Sequence, residues 1–131
     1  MTKLYLLIFL SLNPFLKIGP SDTLINNRWT VVSIKDNIIN KTFSVNKNRA
    51  TIFFNDTMYY VHSCNSFFGK YKLDDNSRIN VLGLSQTLVN CSDIVDSYVE
   101  KYFYDLTYHI ALDTLTLSNN KGVTFKCVID K

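Results

Sequence analysis

The sequence lacks most of the patterns that announce a chemistry. It contains no CxxC pair, no HExxH and no repeated Cys/His spacing, so no familiar zinc or metalloprotease motif is written into it. It has no uncharged apolar run near the ~20 residues that a membrane-crossing helix needs. It also lacks an excess of one charge. Fourteen basic and eleven acidic residues give a formal +3, and the basic ones are scattered singly rather than gathered in a stripe. That balance leaves no electrostatic footprint for a nucleic acid. No cysteine precedes Cys64, which excludes a bacterial lipid-anchored cysteine at a mature start. No Pro/Gly/Ser-rich linker interrupts the chain, and 131 residues suffice for one hydrophobic core but not two.

What is present begins with a leader-like start. Lys3 supplies a short positive region, Leu4 to Leu12 form an uncharged apolar run, and Asn13-Pro14 breaks it. A run of that length matches the core of a signal peptide. The expectation is a signal peptide over residues 1–21, cut after Ser21, and one domain over 22–131 that is secreted or extracytoplasmic and has no membrane span once the leader is removed. Without Lys3 and Lys17, twelve basic residues face eleven acidic ones. In an oxidising compartment a cysteine pair persists as a disulfide, and the residues alone allow any pairing of Cys64, Cys91 and Cys127.

From Arg28 onward the chain reads as short strands. Trp29 to Ile34, Ala50 to Phe54 and Met58 to Cys64 are rich in β-branched and aromatic residues. Asn55-Asp56 between the last two suits a tight antiparallel hairpin, because both residues tolerate positive φ. Gly69 to Leu73 alternates polar and apolar positions, the cluster Asp74-Asp75-Asn76-Ser77 reads as a turn, and Ile79 to Leu84 resumes the apolar pattern. Tyr108 to Ala111, Thr114 to Leu117 and Val123 to Val128 form a closing meander. Between Cys91 and Thr107 the period changes: Val95, Tyr98, Val99, Tyr102 and Leu106 recur every three or four residues, which places them on one helical face. Ser92 or Asp93 caps that helix, and Asp96 adds negative charge to its first turn.

The order of motifs then carries a resemblance. A tryptophan strand (Arg28-Trp29-Thr30-Val31-Val32) is followed by Ser63-Cys64-Asn65-Ser66-Phe67-Phe68-Gly69-Lys70-Tyr71, by Thr87-Leu88-Val89-Asn90-Cys91, by a helix and by a Leu-Thr-Leu hairpin. Over roughly Leu24 to Val128 this resembles the META/HslJ domain family. The resemblance implies an α+β fold in which an antiparallel, barrel-like sheet meander packs against one helix. It implies a Cys64–Cys91 disulfide, and it marks Trp29, Asn65, Phe68, Gly69, Tyr71 and Thr87 as structural motif residues. The family usually carries Gly before the first cysteine of the motif, where this chain has Ser63. Its members include exported bacterial proteins linked to heat shock and antibiotic tolerance, and kinetoplastid proteins linked to virulence and secretion. The function it implies is a non-catalytic module that binds a protein partner or an apolar ligand in such a setting, with no cofactor.

Several candidate sites are weighed against plainer readings. His62 and Cys64 are two apart in an expected strand and share a face, with His109 or Cys127 as further ligands, but the spacing is not that of a metal site and none is expected. A small thiol-dependent hydrolase or redox enzyme would use Cys64 or Cys127 with a histidine, yet no orienting acid stands out. Asp74-Asp75 are turn formers. Asn65 is expected to shape the bend after Cys64 by bonding local backbone, and Gly69 to ease the next strand's entry. Phe67 and Phe68 cannot both point inward from an extended strand, so the pair is a candidate partner contact.

Overall fold

The computed structural model describes residues 24–47 and 49–130. The leader expected over 1–21 lies outside them. Among the described residues there are ten strands and one helix: β1 (Arg28–Asp36), β2 (Lys41–Ser44), β3 (Thr51–Phe54), β4 (Met58–His62), β5 (Ser66–Leu73), β6 (Arg78–Val81), β7 (Ser85–Gln86), α1 (Ile94–Tyr102), β8 (Leu106–Ala111), β9 (Thr114–Asn119) and β10 (Val123–Ile129). The strand order β10-β9-β8-β6-β5-β4-β3-β1, with β10 pairing back on β1, closes an eight-stranded antiparallel barrel. The expected barrel-like sheet with one helix is therefore the fold. β2 lies along β1, and β7 lies along β5.

Alternation decides which side chains enter the barrel. Ile52 and Phe54 of β3, Tyr59 and Val61 of β4, Leu115 and Leu117 of β9, and Val123, Phe125 and Cys127 of β10 are all buried at a spacing of two. β1 breaks the rule once. Trp29 and Val31 face inward at odd positions, Ile34 and Asp36 at even ones, and the register against β10 shifts between Val31 and Ser33. This is a β-bulge, which adds a residue and flips the phase of the strand. It also marks where β1 changes neighbours, from β3 at Arg28–Thr30 to β2 at Ser33–Asp36.

The helix supplies the remaining core. Val95, Tyr98 and Val99 are buried on its inner face, and Phe103 just beyond it packs against both Tyr59 and Phe125. Fully burying a side chain such as Phe125 contributes on the order of 2–3 kcal/mol. Leu106, which fits the helical spacing, instead opens β8. The helix ends at Phe103, whose N–H donates to the Val99 carbonyl, and Asp105 at φ 45° reverses the chain. Asn119 secures that end by donating to the carbonyls of Tyr102 and Tyr104 at 2.9 and 2.6 Å.

The β3–β4 hairpin forms, but not through positive φ at Asn55 or Asp56. Asn55 Oδ1 accepts the N–H groups of Thr57 and Met58, an Asx turn that does the same work. Asp74 acts likewise in the β5–β6 turn, accepting from Asn76 and Arg78. The strand expected to run to Cys64 stops at His62, and β5 begins at Ser66, three residues before the expected Gly69.

Candidate functional site

Four of the motif residues, Cys64, Asn65, Thr87 and Cys91, meet where the β4–β5 bend faces the irregular segment between β7 and α1. Cys64 and Cys91 form a disulfide with their Cα atoms 6.3 Å apart, within the range such bonds span. Next to it, Asn65 is buried and uses its whole amide. Its Nδ2 donates to Val89 O at 3.0 Å and to Asp96 Oδ2 at 2.8 Å, and its Oδ1 accepts from Val89 N at 2.7 Å and from Thr87 Oγ1 at 2.9 Å. Asn65 N also donates to Asp96 Oδ2, and Thr87 Oγ1 accepts from Ser66 N. The local role expected of Asn65 is thus corrected: its partners lie 22 to 31 residues away. An aspartate of the same shape would bring no donors to Asp96 or to the Val89 carbonyl, which is why the chemistry here requires an amide.

Asp93 and Asp96 split the roles that the helix start demands. Asp93 is the N-cap, accepting from Val95 N at 2.8 Å, and it receives Ser63 Oγ at 3.2 Å and Arg49 Nη2 at 2.8 Å. Burial raises the Asp93 carboxyl, but the bonds from Arg49, Val95, Ser63 and the Asp96 amide outweigh it and hold the group below its ordinary range. Ser63, where the family usually has glycine, has no positive φ and gains this capping bond. Asp96 is buried rather than a solvated charge on the first turn, and its Oδ1 has no hydrogen-bond partner among the described residues.

Gly69 is required by a neighbour rather than by its own turn. A Cβ there would lie 2.0 Å from the Gly83 carbonyl oxygen, so any side chain would push the β6–β7 loop away. Tyr59 holds the same oxygen at 2.7 Å, and burial pushes its hydroxyl up to about 12, so it remains a donor. Tyr71 is buried and donates to the Asn55 carbonyl, and the Trp29 indole N–H donates to Leu24 O at 3.2 Å.

The Phe67–Phe68 pair divides. Phe67 is buried at 1 % exposure and belongs to the core, so it is withdrawn as a partner contact; Phe68 is 39 % exposed. Sequence reading missed the apolar segment beside it. Leu82 and Val89 are each 56 % exposed and Leu88 is 89 % exposed, and the segment runs along β5 through Leu82 N to Lys70 O, the Ser85–Phe68 pairing and Thr87 N to Ser66 O. Leu82 and Leu84 fall within the strand expected over Ile79 to Leu84, which ends at Val81, and the remaining signal is Leu88 and Val89, which fit neither a strand nor a helical face.

The thiol and metal candidates do not assemble as sequence spacing allowed. Cys64 is in the disulfide, and Cys127 faces inward from β10, where burial pushes its thiol well above the ordinary value. His109 is exposed on β8, on the opposite side of the sheet from the inward Cys127, while His62 Nδ1 pairs with Ser66 Oγ at 2.9 Å. Among the described residues the gathered metal-ligating set is Cys64, Cys91 and Asp96. No described helix is long and apolar enough to cross a membrane.

Comparison with known proteins bears on the fold. The family model of the META domain matches residues 22–130. A protein from Burkholderia xenovorans solved by NMR superposes with a TM-score of 0.65 at 16 % identity, covering 84 % of this chain and 86 % of that one. A second NMR structure gives 0.65 at 21 % identity over 85 % and 95 %. The crystal structure of a DUF4847 family protein from Bacteroides vulgatus ATCC 8482 gives 0.62 at 13 % identity over 86 % and 99 %. At these identities the likeness concerns the fold alone. Among curated proteins, none matches the sequence.

Proposed function

Because this chain belongs to the META domain family, we propose that it is an exported, non-catalytic binding module that offers the surface of Phe68 and the Leu82–Val89 segment to a protein partner in an envelope, secretion or virulence setting. The observation that carries this reading is the concentration of exposed apolar side chains on one short segment, with Leu88 almost wholly in solvent. Contiguous apolar surface on a small domain marks interaction sites. A surface partner is favoured over an apolar ligand inside the barrel, because Trp29, Phe54, Tyr59, Phe67, Phe103 and Phe125 fill the interior.

Export is supported by the leader-like sequence and by the disulfide, which an oxidising compartment maintains. A non-catalytic role is supported by the state of the thiols: one pair is oxidised, and the remaining Cys127 is buried with its thiol held protonated, the opposite of an activated nucleophile.

The test places a photo-crosslinking residue at Leu88, at Phe68 and, as a control, at the exposed Lys35 of β1, and exposes each protein to the envelope and extracellular fractions of the native host. The reading requires one partner crosslinked from Leu88 and Phe68 and not from Lys35, and lost when Leu88→Asp is introduced into a protein of unchanged thermal stability. Equal crosslinking from all three positions, or none, contradicts it.

A further inference from the structure

We propose that Cys64, Cys91 and Asp96 form a site for a thiophilic divalent cation of the zinc class, available only while the Cys64–Cys91 bond is reduced. This goes beyond the binding surface described above and does not depend on it.

Three observations meet at one place. The two sulfurs and a carboxylate oxygen of Asp96 lie within 4.8 Å of one another. Tetrahedral zinc with sulfur ligands at ~2.3 Å and a carboxylate oxygen at ~2.0–2.2 Å needs its ligand atoms roughly 3.5–3.8 Å apart, a spread that separated thiolates in this cluster can reach by side-chain rotation. Asp96 is only 6 % exposed, and its Oδ1 has no hydrogen-bond partner among the described residues. A buried carboxylate oxygen without a donor is costly, and a bound cation satisfies it. Its other oxygen is fixed by two N–H donors of Asn65, the outer-shell support that orients a ligating carboxylate.

The surroundings suit a cation. Asp96 and Cys91 line a cleft of about 220 Å³ together with Asn65, Thr87, Ser97 and Glu100, and its walls carry two carboxylates and no basic side chain. Cys64 is exposed, which gives a path for the reductant and the metal and leaves room for water as a fourth ligand. A second tie remains when the disulfide is opened: Asn65 holds the Cys64 bend to Val89 and to α1 by hydrogen bonds. The two cysteines therefore stay adjacent after reduction.

The chemistry balances with a dithiol as the reductant. Thiol–disulfide exchange breaks the Cys64–Cys91 bond, two electrons and two protons pass to the protein as two thiols, and the dithiol leaves as its own disulfide. Metal binding then releases both thiol protons to solvent, giving two thiolates and one carboxylate around the cation. In the oxidised protein neither sulfur is a thiolate and the site does not exist.

Cobalt(II) is the probe. The full protein is reduced with a dithiol, freed of it under an inert atmosphere and titrated with cobalt, beside the oxidised protein and the variants Cys91→Ser, Asp96→Asn and Cys127→Ala. The expected result is one cobalt per reduced chain, with sulfur-to-cobalt charge-transfer and tetrahedral ligand-field absorption, and none in the oxidised protein. Loss of even an outer-shell partner weakens metal sites 10–100-fold, so Asp96→Asn should weaken binding at least about tenfold. Cys91→Ser should abolish the charge-transfer band, and Cys127→Ala should change nothing. A reduced protein that binds no cobalt overturns the proposal, as does equal binding by Asp96→Asn, or loss of near-ultraviolet circular dichroism on reduction that cobalt fails to restore.

Discussion

The barrel wall and the segment from Leu82 to Asp93 are held by different physics. In the wall, from β8 through β9 and β10 to β1, backbone ladders join every neighbour, broken once by the bulge in β1, and the inward face includes Leu106, Leu115, Leu117, Val123, Phe125 and Trp29, all fully buried. The segment has two strand residues, no buried apolar side chain and three exposed leucines, yet it is placed by one disulfide, one buried asparagine and a capped helix start. Apolar burial is spread over many side chains and tolerates local loss. A polar junction depends on a few groups, each of which leaves an unsatisfied partner when removed. The exposed segment can therefore present leucines to solvent because its anchoring lies beneath it.

Substitutions in the two regions should separate these modes. Trp29→Ala empties the centre of the wall and should cost about 3–5 kcal/mol, read as a fall in the urea midpoint with cooperative unfolding retained. Replacing Cys64 and Cys91 together by Ala opens a loop with a sequence separation of 27 and should cost about 3–4 kcal/mol in the chain-entropy model, seen in the same denaturation curve. Asn65→Ala leaves the Val89 N–H and carbonyl without their side-chain partner and takes from Asp96 Oδ2 one of its two donors, the backbone N–H remaining, for about 2–3 kcal/mol, although it removes far less volume than Trp29→Ala. A cost under about 0.5 kcal/mol, the range of ordinary surface changes, would dissolve the distinction drawn here.

The smallest effect is the most specific. Asp93→Asn keeps a capping side chain but loses the negative charge at the helix start and the ion pair with the largely exposed Arg49, for about 0.5–1 kcal/mol near neutral pH. The folded-state pKa of Asp93 is depressed, so its contribution is complete above the unfolded carboxylate value and disappears as pH falls through the lower folded one. The stability difference between native protein and variant should close in strong acid, as urea midpoints across the acidic range would record.

The sequence made the wall legible and the junction only partly so. Alternation in Val123, Phe125 and Cys127, or in Leu115 and Leu117, follows from the two-residue period of a strand and can be read without a partner. The bulge in β1 left a trace, a change of inward parity between Val31 and Ile34, that becomes readable only against β10. Leu106 misled because a residue four beyond Tyr102 satisfies helical spacing even after the helix has ended at Phe103. Asn65 next to a bend suggests a local turn former, since its true partners at Thr87, Val89 and Asp96 are distant in the chain and carry no periodic mark. The burial of Asp96 was hidden for the same reason: an acidic residue in a first helical turn ordinarily faces water.

Amide hydrogen exchange on oxidised Asn65→Ala, compared with the native protein, tests the division most directly. The polar junction should open as its own unit: protection falls at the amides of Ser66, Thr87 and Val89, whose partners lie in the junction, while Val31 and Phe125 in the wall keep theirs. An equal loss of protection at all of these amides would contradict the account, because junction and wall would then unfold as one.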